Sequence, residues 1–293
     1  MEVAKLDPSK AVCPVGGRAV LATMHGKARV IAPLALRFLG LAVDVVPDLD
    51  TDVFGTFSRD IPRTGSSLQT ARRKIAAAFD LDPTASIGLS SEGSFGPHPY
   101  IPFLALDREI VMLVDRGSGL ELVGRYATPA TNFSHLVVTD VASGRAFAHR
   151  VGFPHHGVIV MGYLDLAPAS EIALVKDVAD DDALSEALAA TIRQCGAAFI
   201  ETDMRAHRNP QRMRTIKRAT LDLIRRAHSR CPACAVPGYG VTGRVSGLPC
   251  AWCQEPTDLT RAEILSCAAC DHRVERPVAA LAAEPGQCPH CNP

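Results

Sequence analysis

Eight of the ten cysteines stand in four Cys-x-x-Cys pairs, Cys231 with Cys234, Cys250 with Cys253, Cys267 with Cys270 and Cys288 with Cys291, all beyond residue 230. A two-residue spacer lets both thiolates of a tight turn face one ion, and two such knuckles complete the four-sulfur tetrahedron of structural zinc. Four knuckles therefore make two zinc sites. Pro237, Gly238, Gly240, Gly243, Gly247 and Pro249 break the chain between them into short β-prone pieces, as zinc ribbons require. A thioredoxin-like redox pair sits at a helix start and occurs once, which four repeats in a loop-rich tail do not match. Iron–sulfur ligation is the minor alternative. Sequential, nested and interleaved pairings of the knuckles all use every cysteine. Sequential pairing is favoured because each loop then has a ribbon-like length. So short a segment buries little apolar area, and metal must contribute most of its stability. Cys13 and Cys195 stand outside this scheme and read as free thiols of the main domain.

A second concentration of reactive side chains follows the strands of the main domain: Thr23, His25 and Lys27 after the first, Glu92 after the third, and Glu201, Asp203, Arg205, His207 and Arg208 after the last. In open α/β sheets ligands bind beyond the carboxyl ends of strands. If these loops converge, they join carboxylates for a divalent metal to cations for phosphate. Glu92 and Asp203 are the metal-side candidates. The plainer readings are a solvated glutamate in a Gly-rich turn, and an aspartate that pairs with Arg205 or caps backbone amides. Gly26-Lys27-Ala28 is not a P-loop, because Leu21 stands where the earlier glycine belongs and Ala28 replaces Ser/Thr. His155 and His156 are adjacent, and adjacent strand residues point to opposite faces, which argues against a shared ion. From Arg205 to Arg230, nine basic residues (Arg205, Arg208, Arg212, Arg214, Lys217, Arg218, Arg225, Arg226 and Arg230) face one acidic residue, Asp222, a balance of plus eight. A solvated helix face and contact with phosphate or nucleic acid are the two readings.

The elements that must position these groups alternate. Arg18 to Thr23 reads as a buried strand, Lys27 to Gly40 as a helix and Leu41 to Val46 as a second strand. A polar loop from Asp48 to Gly65 is too long for a mere connector. Ser66 or Ser67 caps the next helix, through LQTARRKIAAAF. Ser86 to Leu89 is a short strand that leads into a Gly/Pro-rich turn carrying Glu92, and Glu109 to Asp115 is another strand. Strands recur near 120–126, 135–141, 157–164 and 197–202, with a helix from Asp181 to Gln194, and Asn209-Pro210 starts a last helix. The expected fold is α/β, a mixed sheet with flanking helices over residues 1–228, followed by a double zinc-ribbon module at 229–293. With 47% hydrophobic and 21% charged residues the chain can build such a core. Basic and acidic residues balance at 31 each, so partners must be argued from local charge. The first residues lack the apolar stretch of a signal peptide, and the longest apolar tract, Ile31 to Val46, is interrupted by Arg37 and Asp44. A cytoplasmic protein without membrane association is expected.

The stretches ATMHGK, DLDTDVFGTFSRDIPRTGSSLQTARRK, GLSSEGSFGPHP and ETDMRAHRNPQRM, followed by the four cysteine pairs, resemble an uncharacterised bacterial family classed as a domain of unknown function. That likeness spans almost the whole chain and implies no activity. A second, distant resemblance is to the inosine/xanthosine triphosphate pyrophosphatases, which clear non-standard purine nucleotides with magnesium. LATMHGK resembles the opening strand and Thr-x-Asn-x-x-Lys loop of that superfamily, with His25 where Asn stands. FGTFSRDIPRTGSSLQTARRK and GLSSEGSFG resemble its loop, Ala-rich helix and Glu-Gly turn, with Glu92 at the acidic position. Arg205 to Arg208 resembles its Ser-His-Arg base-contacting motif, with Ala206 in place of Ser.

That resemblance implies an inosine-triphosphatase-like fold and a magnesium-dependent nucleoside triphosphate pyrophosphohydrolase with a structural zinc tail. It implies Lys27 and Glu92 as catalytic residues, to which the loop after the last strand adds Asp203, and Thr23, His25, His207 and Arg208 as substrate-binding ones. The alternative is a non-catalytic zinc-ribbon protein that holds nucleic acid or a protein partner through the basic helix at 205–230.

Overall fold

The computed structural model describes Leu6, residues 16–54 and residues 65–292. The expected loop at 48–65 and Cys13 therefore lie partly or wholly outside the described residues. Beyond Leu6, two compact units are present, one of residues 16–116 and 123–224, the other of residues 117–122 and 225–292.

The first unit opens with strand β1 (Gly17–Ala22), helix α1 (Ala28–Leu39) and strand β2 (Leu41–Val45). Helix α2 (Ser67–Leu81) starts with a capping box: Gln69 N donates to Ser66 Oγ at 3.2 Å, and Ser66 N donates to Gln69 Oε1 at 2.8 Å. Strands β3 (Ile87–Pro97), β4 (Ala105–Asp115) and β5 (Leu120–Thr128) complete a sheet ordered β2-β1-β3-β4-β5. β1 runs parallel to β2 and β3, and β3 runs antiparallel to β4. Val20, Ala22, Ile110 and Met112 on one face pack against Ala71, Ile75 and Phe79 of α2.

One mixed sheet was expected, and the unit contains two. The second is entirely antiparallel, ordered β6-β9-β7-β8, from β6 (His135–Val138), β7 (Val158–Leu164), β8 (Ala167–Val175) and β9 (Ala198–Thr202). Helices α3 (Val141–Arg150) and α4 (Asp181–Cys195) cover one face, burying Phe147, Leu184 and Leu188 against Val158, Val160 and Ile200. Neither α3 nor β8 was expected. The first starts on Asp140, whose carboxylate accepts from Ser143 N at 2.8 Å, but Ser143-Gly144 weakens its helical propensity. In β8, Ser170-Glu171 breaks the alternation. Cys195 is buried at the end of α4.

Helix α5 (Pro210–His228) closes the first unit, with Asn209 Oδ1 accepting from Arg212 N at 3.0 Å. Gly124 on β5 lets it approach closely, since a Cβ there would fall 2.2 Å from Ala219 O.

The second unit holds an antiparallel meander, β10 (Gly240–Ser246), β11 (Thr260–Ser266) and β12 (Arg273–Pro277). Its buried apolar side chains are few: Val236, Leu248, Ala262 and Ala283 between residues 229 and 292, beside Cys231, Cys250 and Cys288.

Candidate functional site

The register of β3 and β4 distributes the charged groups of the first sheet. Glu92 pairs with Ile110, and Gly93 with Glu109. Paired residues share a face and successive residues alternate. Glu92 therefore faces α2, while Ser91, Asp107 and Glu109 face α5. Thr23 falls one step beyond the last β1–β3 pair, Ala22 with Ser90, and so lies level with Ser91. Glu92 was expected in a turn. It sits mid-strand instead, because β3 keeps pairing with β4 as far as Pro97 and Gly/Ser residues are tolerated where neighbours come close.

Every ionised member of this cluster is buried, and most have an opposite charge at hand. Lys74 Nζ lies 2.5 Å from Glu92 Oε1. On the other face Arg212 Nε donates to Glu109 Oε1 at 2.6 Å, and Arg212 Nη1 donates to Met204 O. Gly93 makes this possible: a Cβ there would stand 2.3 Å from Glu109 Oε1 and 2.8 Å from Arg212 Nη2. Arg212, counted above among the nine cations of a basic helix, is therefore a core residue at 1% exposure. Lys27 Nζ reaches the same strand and donates to Ser91 O at 3.0 Å. Burial first, then Arg212, lowers the Lys27 amine to about 7, against the pull of Glu92 and Glu109. Asp107 is pushed up to about 7, by burial first and then by Glu109. Thr23 Oγ1, Ser91 Oγ and Glu109 Oε2 are buried with no hydrogen-bond partner among the described residues, while Thr215 lies close enough to Asp107 to lower its pKa in part. Sequence reasoning missed Lys74, Asp107, Glu109 and Arg212 as members of the site; the charged run Asp107-Arg108-Glu109 leading into an apolar strand was the available signal.

The segment after β9 forms a second polar group. Asp203 is fully buried; Arg205 N donates to its Oδ1 at 2.9 Å, and the Arg205 guanidinium holds its Oδ2 at 2.7 Å while reaching Asp177 at 2.9 Å. The pairing and capping considered as its plainer role are thus both made. Arg208 Nη2 donates to Val178 O at 2.8 Å, and a side chain at Gly157 would meet both Arg208 and Asp203. His207 stacks on His25, ring centroids 5.1 Å apart. Burial first, then His25, lowers the His207 pKa. The loop after β1 and the segment after β9 thus meet through the two histidines, and Arg212 ties the Met204 carbonyl to Glu109. Among the described residues no three carboxylates or histidines of this region gather within ligand distance of one another.

The cysteines form two groups of four, each able to hold a metal ion: Cys231, Cys234, Cys267 and Cys270, and Cys250, Cys253, Cys288 and Cys291, with ligand atoms within 4.8 Å of one another. Within each group the two knuckles touch: 3.8 Å (Cys231 to Cys270) and 3.6 Å (Cys234 to Cys267) in one, 3.8 Å (Cys250 to Cys291) and 3.6 Å (Cys253 to Cys288) in the other. A tetrahedron with metal–sulfur bonds of about 2.3 Å places its sulfurs about 3.8 Å apart. The pairing is interleaved, first knuckle with third and second with fourth. Sequential pairing was favoured, and the meander explains the correction. Each antiparallel strand carries the chain to the opposite end of the sheet, so consecutive knuckles end up apart and alternate ones together. The first two knuckles repeat one backbone design. Ala235 N donates to Cys231 O at 2.8 Å and Gln254 N to Cys250 O at 3.1 Å, and Ala235 and Gln254 both take positive φ, 62° and 63°. Backbone amides of Cys253 and Trp252 lower Cys250 to about 7, whereas the Cys253 thiol, then burial, raises Cys291 to about 12. Four sulfurs this close ionise together only with a cation among them.

The family model described as a domain of unknown function (DUF6671) matches residues 74–293. The chain belongs to the DUF6671 family. The matched part of this DUF6671 chain contains Lys74, Glu92, Asp107, Glu109, Arg212 and all eight knuckle cysteines, and it starts after Thr23, His25 and Lys27. No curated protein matches the chain. Among the described residues of this DUF6671 protein, no helix is long and apolar enough to cross a membrane.

Proposed function

We propose that the first unit is a magnesium-dependent hydrolase of non-standard nucleoside triphosphates that releases pyrophosphate, and that each cysteine group holds a structural zinc ion. The observation that carries the hydrolase reading is the company kept by Lys27. It precedes α1, a helix whose start has no side-chain cap and no acidic residue in its first turn. Such a start, with a buried amine and the unbonded hydroxyls of Thr23 and Ser91 beside it, suits an anion at the carboxyl end of β1, level with the middle of β3. His25 and His207 stack where the loop after β1 meets the segment after β9, while Arg208 is turned to Val178 and Asp177.

Magnesium asks a protein for one or two carboxylates and takes its remaining ligands from phosphate and water. Glu92 on one face of the sheet, or Glu109 and Asp107 on the other, would meet that demand. Glu92 would exchange its Lys74 contact for the ion, whereas Asp203, gripped by Arg205 through both oxygens, is the poorer candidate. Bound magnesium would neutralise phosphate charge. Lys27 would stabilise charge developing on the phosphates, and Lys74, released from Glu92, would add a second cation. A panel of inosine, xanthosine and standard triphosphates, assayed with magnesium for pyrophosphate, tests this. Turnover that falls at least about a hundredfold in Lys27→Ala and Glu92→Gln is expected. No turnover with any base sinks the reading.

Zinc is favoured over other metals by four thiolates in a closed tetrahedral shell. Elemental analysis should find two zinc ions per chain. The module at residues 229–293 carries five basic and six acidic side chains, so its charge gives no support to nucleic-acid binding by the ribbons themselves.

A further inference from the structure

The fold divides the basic stretch at 205–230 into cations already committed and cations left over. Arg205 is held by Asp203 and Asp177, Arg208 by the Val178 carbonyl, and Arg212 by Glu109. Arg214, Lys217 and Arg218 are exposed on α5, and among the described residues none of them pairs with a carboxylate. Their spacing of three and four residues puts them on one face of the helix, within about 6 Å along its axis. The opposite face, with Thr215, Ile216, Ala219 and Thr220, is buried in the unit. The one acidic residue of α5, Asp222, is engaged by Arg125 N at 2.9 Å. Near this face His155 is exposed, and burial first, then His155 and Arg214, lowers the His156 pKa.

We propose that Arg214, Lys217 and Arg218 form a docking stripe for the phosphate backbone of a nucleic acid. Three free cations without a carboxylate call for a polyanion, and two of the three are arginines, whose forked donors match phosphate oxygens. A lipid surface fits less well, because the apolar face of α5 is already used in the core and no apolar side chain accompanies the cations outward. Contacts confined to phosphates carry no base preference, so binding should be indifferent to sequence. The stripe shares no residue with the cluster around Lys27, and this proposal does not depend on the hydrolase reading.

Fluorescence anisotropy of the zinc-loaded full chain with a labelled duplex of about twenty base pairs tests the stripe without any turnover. Three phosphate contacts predict a log–log salt slope near about −2.7, roughly fortyfold weaker binding between about 50 and about 200 mM salt. The triple variant Arg214→Gln, Lys217→Gln, Arg218→Gln should lose at least about tenfold in affinity and flatten that slope, with zinc content and melting temperature unchanged. Single Lys217→Glu, a milder test of the same surface, should lose severalfold. No binding at low salt, equal binding by the triple variant, or displacement by poly-glutamate as effective as by unlabelled duplex would each overturn the proposal, the last pointing to an acidic protein instead.

Discussion

The two regions that gather reactive groups solve opposite problems. In the cysteine module eight thiols crowd into two groups, each able to hold a metal ion. In the first sheet Lys74, Arg212 and Lys27 are matched by Glu92, Glu109 and Asp107, three charges against three, and the cluster is close to neutral by itself. The module has almost no core behind its ligands, whereas the charged cluster is wrapped in one. Stability should therefore depend on an added ion in one region and on mutual pairing in the other.

The largest effects are expected in the module. Each structural zinc is worth about 10–16 kcal/mol of folding free energy in small fingers. Cys231→Ser and Cys267→Ser should each abolish one cobalt(II) thiolate absorption band, and the double variant should do no more than either alone. Cys231→Ser combined with Cys250→Ser should abolish both bands. The reverse pattern would restore sequential pairing.

In the charged cluster, Glu109→Gln should cost about 3–5 kcal/mol by urea unfolding, because it strands the buried Arg212 guanidinium. Gly93→Ala should cost about 1–3 kcal/mol, as the new methyl intrudes on that pair. If either variant is neutral, the cluster is not held by mutual pairing.

How far each region could be read from sequence follows the same division. The two cysteines of each knuckle are separated by only two residues, so the four knuckles were visible locally, as were the caps at Ser66 and Asn209. Which knuckles share an ion depends on strand direction, and loop length alone pointed the wrong way. Arg212 and Glu109 lie far apart in the chain and meet only through the register of β3 with β4. Arg212 looked like one more exposed cation because its helix is basic all along. The split into two sheets was hidden for a similar reason: α3 and β8 are weak local formers held by tertiary packing.

The smallest expected effect is on the pH dependence of stability, and its sign differs between two residues. An acid with a folded pKa raised from 3.8 to about 7 loses protons later than in the unfolded chain, so Asp107 makes stability fall as pH rises from about 4 to about 7. A base lowered from 10.5 to about 7 keeps fewer protons than the unfolded chain, so Lys27 makes stability rise between about 7 and about 10.5. Asp107→Asn should flatten the lower limb and Lys27→Met the upper, each by a few kcal/mol at most. Thermal melts across that range read both; unchanged limbs in the variants would assign the dependence to other groups.

Native-state hydrogen exchange on the zinc-loaded chain, before and after a strong chelator, measures the contrast most directly. Amides of β10, β11 and β12 should lose their protection once metal is withdrawn, while those of β3 and β4 keep theirs. If both sets survive, or both collapse together, the division between a metal-dependent module and a self-paired charged core is contradicted.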